Sequence, residues 1–197
     1  DENEGTGKPD DKEEGKDAEK DDEKDDEKED ENEDMDKPTK CAKNEILYTT
    51  EDGGVIELNV QDGFGANILS HTYENGYGKI VFDNDVTSIP IEAFKGCSPV
   101  VSITLPDCVK TVGYSAFEGC SGLHEFCSNC ASSDGRCLII DDVLVAFAPA
   151  GLDVYRFSGF TTFAKRVCCG IAVDEIHIYI PTIGEEAFCE SSFGWLY

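Results

Sequence analysis

The chain has 197 residues, with 42 acidic against 16 basic side chains and a formal net charge of −26. A chain this acidic is repelled by phosphates, which argues against a nucleic-acid partner. Nor does any apolar run approach the length of a membrane-spanning helix.

The charge lies at the front. Residues 1–40 are almost wholly Asp, Glu, Lys, Gly and Asn, without one aromatic residue. Such a segment has too little apolar surface to offset the entropy of ordering. It reads as a disordered, self-repelling acidic tether. Lys16, Lys20, Lys24 and Lys28 recur every four residues, but a helix would stack them lysine on lysine. DDEKDDEKEDENED also lacks the spaced ligands and central glycine of a calcium loop. The first residues, DENEGTGK, carry no initiator Met. They read as a processed, exported form, with a lipid anchor upstream of Asp1 as one means of attachment.

Residues 41–85 are expected to form a β-rich N-terminal cap. EILYTT, GVIEL and KIVF look like strands, and Asp52-Gly53-Gly54 reads as the turn between the first two. Residues 86–197 are read as a solenoid. VTSIPIEAFKGCSPVVSITLP from Val86 and VKTVGYSAFEGCSGLHEF from Val109 align at an offset of 23, pairing Ala93-Phe94 with Ala116-Phe117 and Cys97 with Cys120. A fixed period in the twenties marks stacked coils, none of which buries its own apolar face alone. In each coil Ile103 and Leu105 are expected to point inward from a short strand, and Ser102 and Thr104 outward. The EAF step fits a tight helical turn closed by Gly96. Cys97 and Cys120 behave as small buried hydrophobes. TIGEEAF and IHIYIP repeat the pattern late in the chain, and Phe160 to Phe163 resembles Val86 to Ile89, giving about four coils. Residues 131–151 interrupt them, with CLII and VLVAFA flanking Asp141-Asp142 as an inserted β-hairpin.

IPIEAFKGCSPVVSITLP and VGYSAFEGCSGLHEF resemble the repeat of the BspA-like leucine-rich repeat family, over roughly Lys79 to Phe188. The fold this implies is a leucine-rich-repeat solenoid: a parallel β-sheet with short helical or 3-10 turns, a β-hairpin cap and the acidic tail. The resemblance also implies an exported, often surface-attached protein that binds protein or glycan without catalysis or a cofactor. Asn129, Val167-Cys168 and Ser191 depart from the repeat where Pro, Ala-Phe and Cys belong.

Among chemical candidates, Cys120, Cys127, Cys130 and Cys137 offer thiolates at spacings that suit zinc, with a Cys127–Cys130 disulfide or unpaired thiols as the alternatives. One of the adjacent pair Cys168 and Cys169 is expected to fill core. His71, His124 and His177 sit in no catalytic motif, and no phosphate-cradling loop appears. The expected function is therefore a binding or adhesion module. Its outward columns would run Ser102, Glu125, Val154, His177 and Thr104, Cys127, Arg156, Tyr179, with Arg156 and Tyr179 as anchors. A structural unit that self-assembles through FGWLY is the alternative.

Overall fold

The computed structural model describes residues 38–197, so all but the last three residues of the acidic tether fall outside the described residues. These residues form fourteen strands and no helix. β1 (Glu45–Thr50), β2 (Ile68–Glu74) and β3 (Tyr77–Phe82) make an antiparallel cap in the order β2-β3-β1. β1 passes directly onto β5 (Val100–Thr104), and β5 pairs in parallel with β7 (Glu125–Cys127). The cap thus continues the solenoid sheet.

GVIEL, expected as a strand, is not one, and β2 takes its place in the sheet. The hairpin signal was Asn75-Gly76, where both residues have positive φ, at 53° and 82°. GVIEL instead runs over the first coil. Ile56 and Leu58 are buried, and the Asn59 amide donates to Ala93 O at 3.2 Å.

The short return strands β4 (Ser88–Ile89) and β6 (Thr111–Val112) pair in parallel. β8 (Cys137–Ile140) and β9 (Val143–Phe147) are an antiparallel hairpin. β9 then pairs in parallel with β11 (Thr162–Phe163), and β11 with β13 (Thr182–Ile183). The second long-strand sheet is parallel: β10 (Val154–Phe157), β12 (Glu175–Ile178) and β14 (Trp195–Leu196).

The repeated positions fill the core. Val86, Ala93, Phe94, Val100, Ile103 and Leu123 are fully enclosed, and Phe94 stacks on Phe117 at 5.3 Å with 9° between the rings. Between return strand and long strand lies a corner, held by single i+3 to i hydrogen bonds such as Lys95 N to Glu92 O (3.1 Å) and Cys97 N to Phe94 O (3.0 Å). It does not grow into a helix, because each corner opens on a residue in the left-handed region. Glu92, Ser115, Arg166 and Glu186 have φ between 54° and 58°.

Adjacent corners are laddered. Glu92 N, Phe94 N and Gly96 N donate to Tyr114 O, Ala116 O and Glu118 O at 3.3, 2.8 and 2.7 Å. Arg166 N, Cys168 N and Gly170 N donate to Glu185 O, Ala187 O and Cys189 O at 3.1, 2.8 and 2.8 Å. The repeat cysteines do more than fill space. Cys97 Sγ donates to Glu57 O at 3.3 Å and Cys120 Sγ to Phe94 O at 3.0 Å. Ser191, standing where a third cysteine was expected, makes the same bond to Cys168 O at 2.6 Å. A hydroxyl therefore serves this position as well as a thiol.

Candidate functional site: sheet face and corner row

The expected outward columns are only partly available. β5 is an inner strand, and its outer face is covered. Ser102 is 1 % exposed and shares a hydrogen bond with Thr49, while Thr104 is 2 % exposed and donates to Pro38 O at 2.5 Å. Neither can meet a partner, because Thr49 on β1 lies against Ser102, and Pro38, in the segment leading into the cap, lies against Thr104. Ser102 pairs with Glu125 and Thr104 with Cys127, as the repeat requires. The columns then stop, since β7 and β10 belong to different sheets.

In the second sheet the register differs from the expectation by two residues. Val154 stands beside Glu175, and Arg156 beside His177 rather than Tyr179. The cause is a shorter coil, since β10 and β12 pair at an offset of 21 residues where β5 and β7 pair at 23. Around Arg156 the outer face is aromatic. Tyr197 stacks on His177 at 4.9 Å with 13° between the rings, and Tyr179 lies 6.3 Å from the same imidazole. Tyr179 is 75 % exposed and Trp195 66 %. His177 Nε2 hydrogen-bonds the Glu175 carboxylate, which fixes the ring. Arg156, His177 and Tyr179 were singled out in the sequence, whereas Trp195 and Tyr197 were read only as part of the FGWLY end, and their place beside Glu175 and His177 needed the register.

The corners carry a second polar array that the repeat alignment had not singled out. Lys95 bonds Glu92 at 2.8 Å and Glu118 at 3.0 Å, and Arg166 bonds Glu118 at 3.1 Å and Glu186 at 2.7 Å. Arg166 Nε also donates to Ser115 Oγ at 3.1 Å. Charges from four corners thus form one row centred on Glu118, whose side chain is 13 % exposed. Burial raises the Glu118 carboxyl, but hydrogen bonds from Ser115, Lys95 and Arg166 outweigh it and leave the group below its ordinary value. A lowered carboxyl stabilises the fold above its unfolded pKa, and that stability is lost as pH falls through the folded pKa. Glu118→Gln is expected to cost roughly 1–2 kcal/mol at neutral pH and to flatten the acid limb of stability. Urea midpoints of both proteins between pH 7 and pH 3 check this; parallel pH profiles would reject the role given to Glu118.

The zinc arrangement is not assembled. Cys120 points inward to Phe94 O, and Cys137 is 1 % exposed beside the Tyr155 hydroxyl at 3.3 Å. Cys127 and Cys130 are half-buried and outside any disulfide. Among the described residues, no three His, Cys, Asp or Glu side chains are placed to share a metal. Burial pushes the Cys120 thiol up to about 12 and the Cys137 thiol to about 11, so both stay protonated and are poor ligands and nucleophiles. The disulfide lies elsewhere, between Cys169 and Cys189 at Cα–Cα 4.6 Å. Cys168 is the core filler, at 0 % exposure. Cys169 and Cys189 occupy the corner position of Lys95 and Glu118, so the column that is an ion pair in the first two corners is covalent in the last two.

His71 and His124 are placed for structure: His71 Nε2 meets Tyr48 OH at 2.7 Å, and His124 Nδ1 meets Gly122 O at 2.7 Å. Residues 68–135 match the BspA type leucine rich repeat region, a family profile of six copies. This chain is also similar, at 19 % identity and TM-score 0.43, to a leucine rich cell surface protein from Faecalibacterium prausnitzii A2-165 whose crystal structure is known. That similarity covers 55 % of this chain and 32 % of the other, so this chain spans about a third of that protein's length. Among curated proteins no match is found.

Proposed function

From a chain that carries a BspA-type leucine-rich repeat region, we propose a non-catalytic binding module, displayed outside the cell, that engages a protein partner through the outer face of β10, β12 and β14. The observation that carries this reading is the cluster on that face. Arg156 stands beside His177, Tyr197 stacks on His177, and Tyr179 and Trp195 are largely exposed. Arg, Tyr and Trp are the side chains that most often dominate binding energy, because they bring large area at low entropic cost. Restraint of His177 by Glu175 and Tyr197 lowers the ordering cost further. Glycan recognition by the same aromatics is the neighbouring reading. Self-assembly is the second, since β14 pairs with β12 on one side and leaves Leu196 and Tyr197 56 % and 58 % exposed.

The test is a panel of immobilised purified glycoproteins, the same glycoproteins after deglycosylation, and the free glycans, probed with the chain and with Arg156→Ala/Tyr179→Ala. Binding that survives deglycosylation and falls at least tenfold in the double variant supports the reading. Equal binding by the double variant sinks it. Binding to free glycans alone moves the ligand to the neighbouring class, and a mass that grows with concentration and returns to monomer on Trp195→Ala favours assembly.

A further inference from the structure

The corner ladder has a gap. In the first and third corners three alternate amides donate to the next corner, as described above. In the second corner the equivalent amides, Ser115 N, Phe117 N and Gly119 N, have no acceptor among the described residues. In the third corner the equivalent carbonyls, Lys165 O, Val167 O and Cys169 O, have no donor among them. A row of bare amides therefore faces a row of bare carbonyls. Ser115, Phe117 and Cys169 are buried, and unpaired backbone groups at buried residues are uncommon in a folded chain and call for a partner.

The cause is the hairpin. β9 takes the return-strand place, for Leu144 pairs with Phe163, and Ala164 N donates to Leu144 O at 2.9 Å just as Gly184 N donates to Phe163 O at 2.9 Å. β10 takes the long-strand place, for Val154 pairs with Glu175. Between these matched points the hairpin-bearing coil has 154 − 144 = 10 residues, whereas the coils after it have 175 − 163 = 12 and 195 − 183 = 12. β9 also stays extended to Phe147. Too few residues remain to build a corner, so that coil has both its strands and no corner.

Side chains report the same gap independently. A β-carbon at Gly113 would collide with Ile91 N, and one at Gly184 with Phe163 O, because each lies directly on a preceding coil. The coil that bears the third corner carries Ala164 at this position. A β-carbon on Gly119 would lie 3.4 Å from Gly96, whereas one on Gly170 would meet nothing within 4 Å. The space is a cleft of about 320 Å³ between Phe117 and Gly119 on one wall and Val167 and Cys169 on the other, floored by Phe147 and Leu152. Arg166 and Lys165 reach across its rim, to Glu118 and over the Tyr114 ring.

We propose that this cleft is a binding site for an extended peptide segment of a partner protein, which supplies the missing corner. Its carbonyls accept from Phe117 N and Gly119 N, its amides donate to Val167 O and Cys169 O, and one apolar side chain settles on Phe147 and Leu152. The two bare rows select polypeptide backbone, because no other common ligand offers acceptors and donors along opposite edges at strand spacing. The site is separate from the aromatic sheet face and stands whether or not that face binds a partner.

The probe is the chain's own corner as a synthetic peptide, acetyl-Ile-Glu-Ala-Phe-Lys-Gly-amide, residues 91–96, titrated into the full chain with amide exchange followed by NMR. Expected in the free protein are Phe117 and Gly119 amides that exchange at least tenfold faster than Phe94 and Gly96. Expected on titration are saturable shifts at Phe117 and Gly119 with at least tenfold slower exchange. Val167→Trp, which fills the cleft, abolishes the response, and Arg156→Ala/Tyr179→Ala leaves it intact. Slow exchange at Phe117 and Gly119 without peptide, saturable shifts confined to Trp195 and its neighbours, or no response at millimolar peptide each overturns the proposal.

Discussion

Cys189→Ser is expected to lower stability by about 3 kcal/mol, the chain-entropy value for a closed loop of 20 residues. The effect arises in the unfolded chain, whose freedom the bond restricts, and it adds to the amide ladder that already joins the last two corners. Lys95 and Glu118 hold the equivalent place earlier through a 3.0 Å ion pair, which contributes far less. Denaturation of the oxidised chain, the reduced chain and the variant provides the check. The reduced chain is expected to fall on the variant's curve, with the oxidised chain shifted to higher denaturant. Thiol titration gives the matching count: eight groups in denaturant alone and all ten cysteines after reduction. Coincident curves for oxidised and reduced chain would remove the bond from the argument.

Phe94→Ala is expected to cost 3–5 kcal/mol, the usual range for truncating an enclosed phenyl ring. Phe94 is 0 % exposed, and its ring lies flat on Phe117, so truncation leaves a void shared by two coils. The void cannot close by simple settling, because the corner ladder from Phe94 N to Ala116 O fixes the coil spacing at 2.8 Å across that bond. Tyr179→Ala is the contrasting control, since a side chain 75 % exposed contributes little to folding. Urea midpoints should therefore separate the two variants widely at unchanged slope. A Phe94→Ala midpoint within experimental error of the Tyr179→Ala midpoint would contradict the stacked-coil account.

Where the repeat is strict, the sequence carries the fold. Val86, Ala93, Phe94, Cys97, Leu123 and Phe126 are buried as their spacing requires, because stacking allows one side-chain size at each place. The later coils were harder to place because their residues change while the backbone does not. Ser191 replaces a thiol donor with a hydroxyl donor, and Cys168 replaces a ring that neighbouring phenylalanines supply. The sheet face was misread where a local pattern met a distant strand. Alternation along SIT correctly separates Ser102 from Ile103, but nothing nearby tells that Pro38 and Thr49 will cover Ser102 and Thr104. The Cys169–Cys189 pair was hidden for a related reason. Its partners share a column only when the coils are stacked at an offset of 20 rather than 23.

The clip between Cys169 and Cys189 also determines how the chain responds to being pulled. Under load, tension runs along the solenoid's own backbone. Coils without a cross-link can be peeled one after another, each releasing its full contour. Across the clip, force passes through the sulfur bridge, and the 20 residues between its ends do not lengthen. At about 3.5 Å per residue, some 70 Å of extension is withheld. The clipped segment includes β12 with His177, and also Tyr179, whereas Arg156 on β10 and Trp195 on β14 lie outside it, so tension would draw the two sides of the aromatic face apart before β12 itself lengthens.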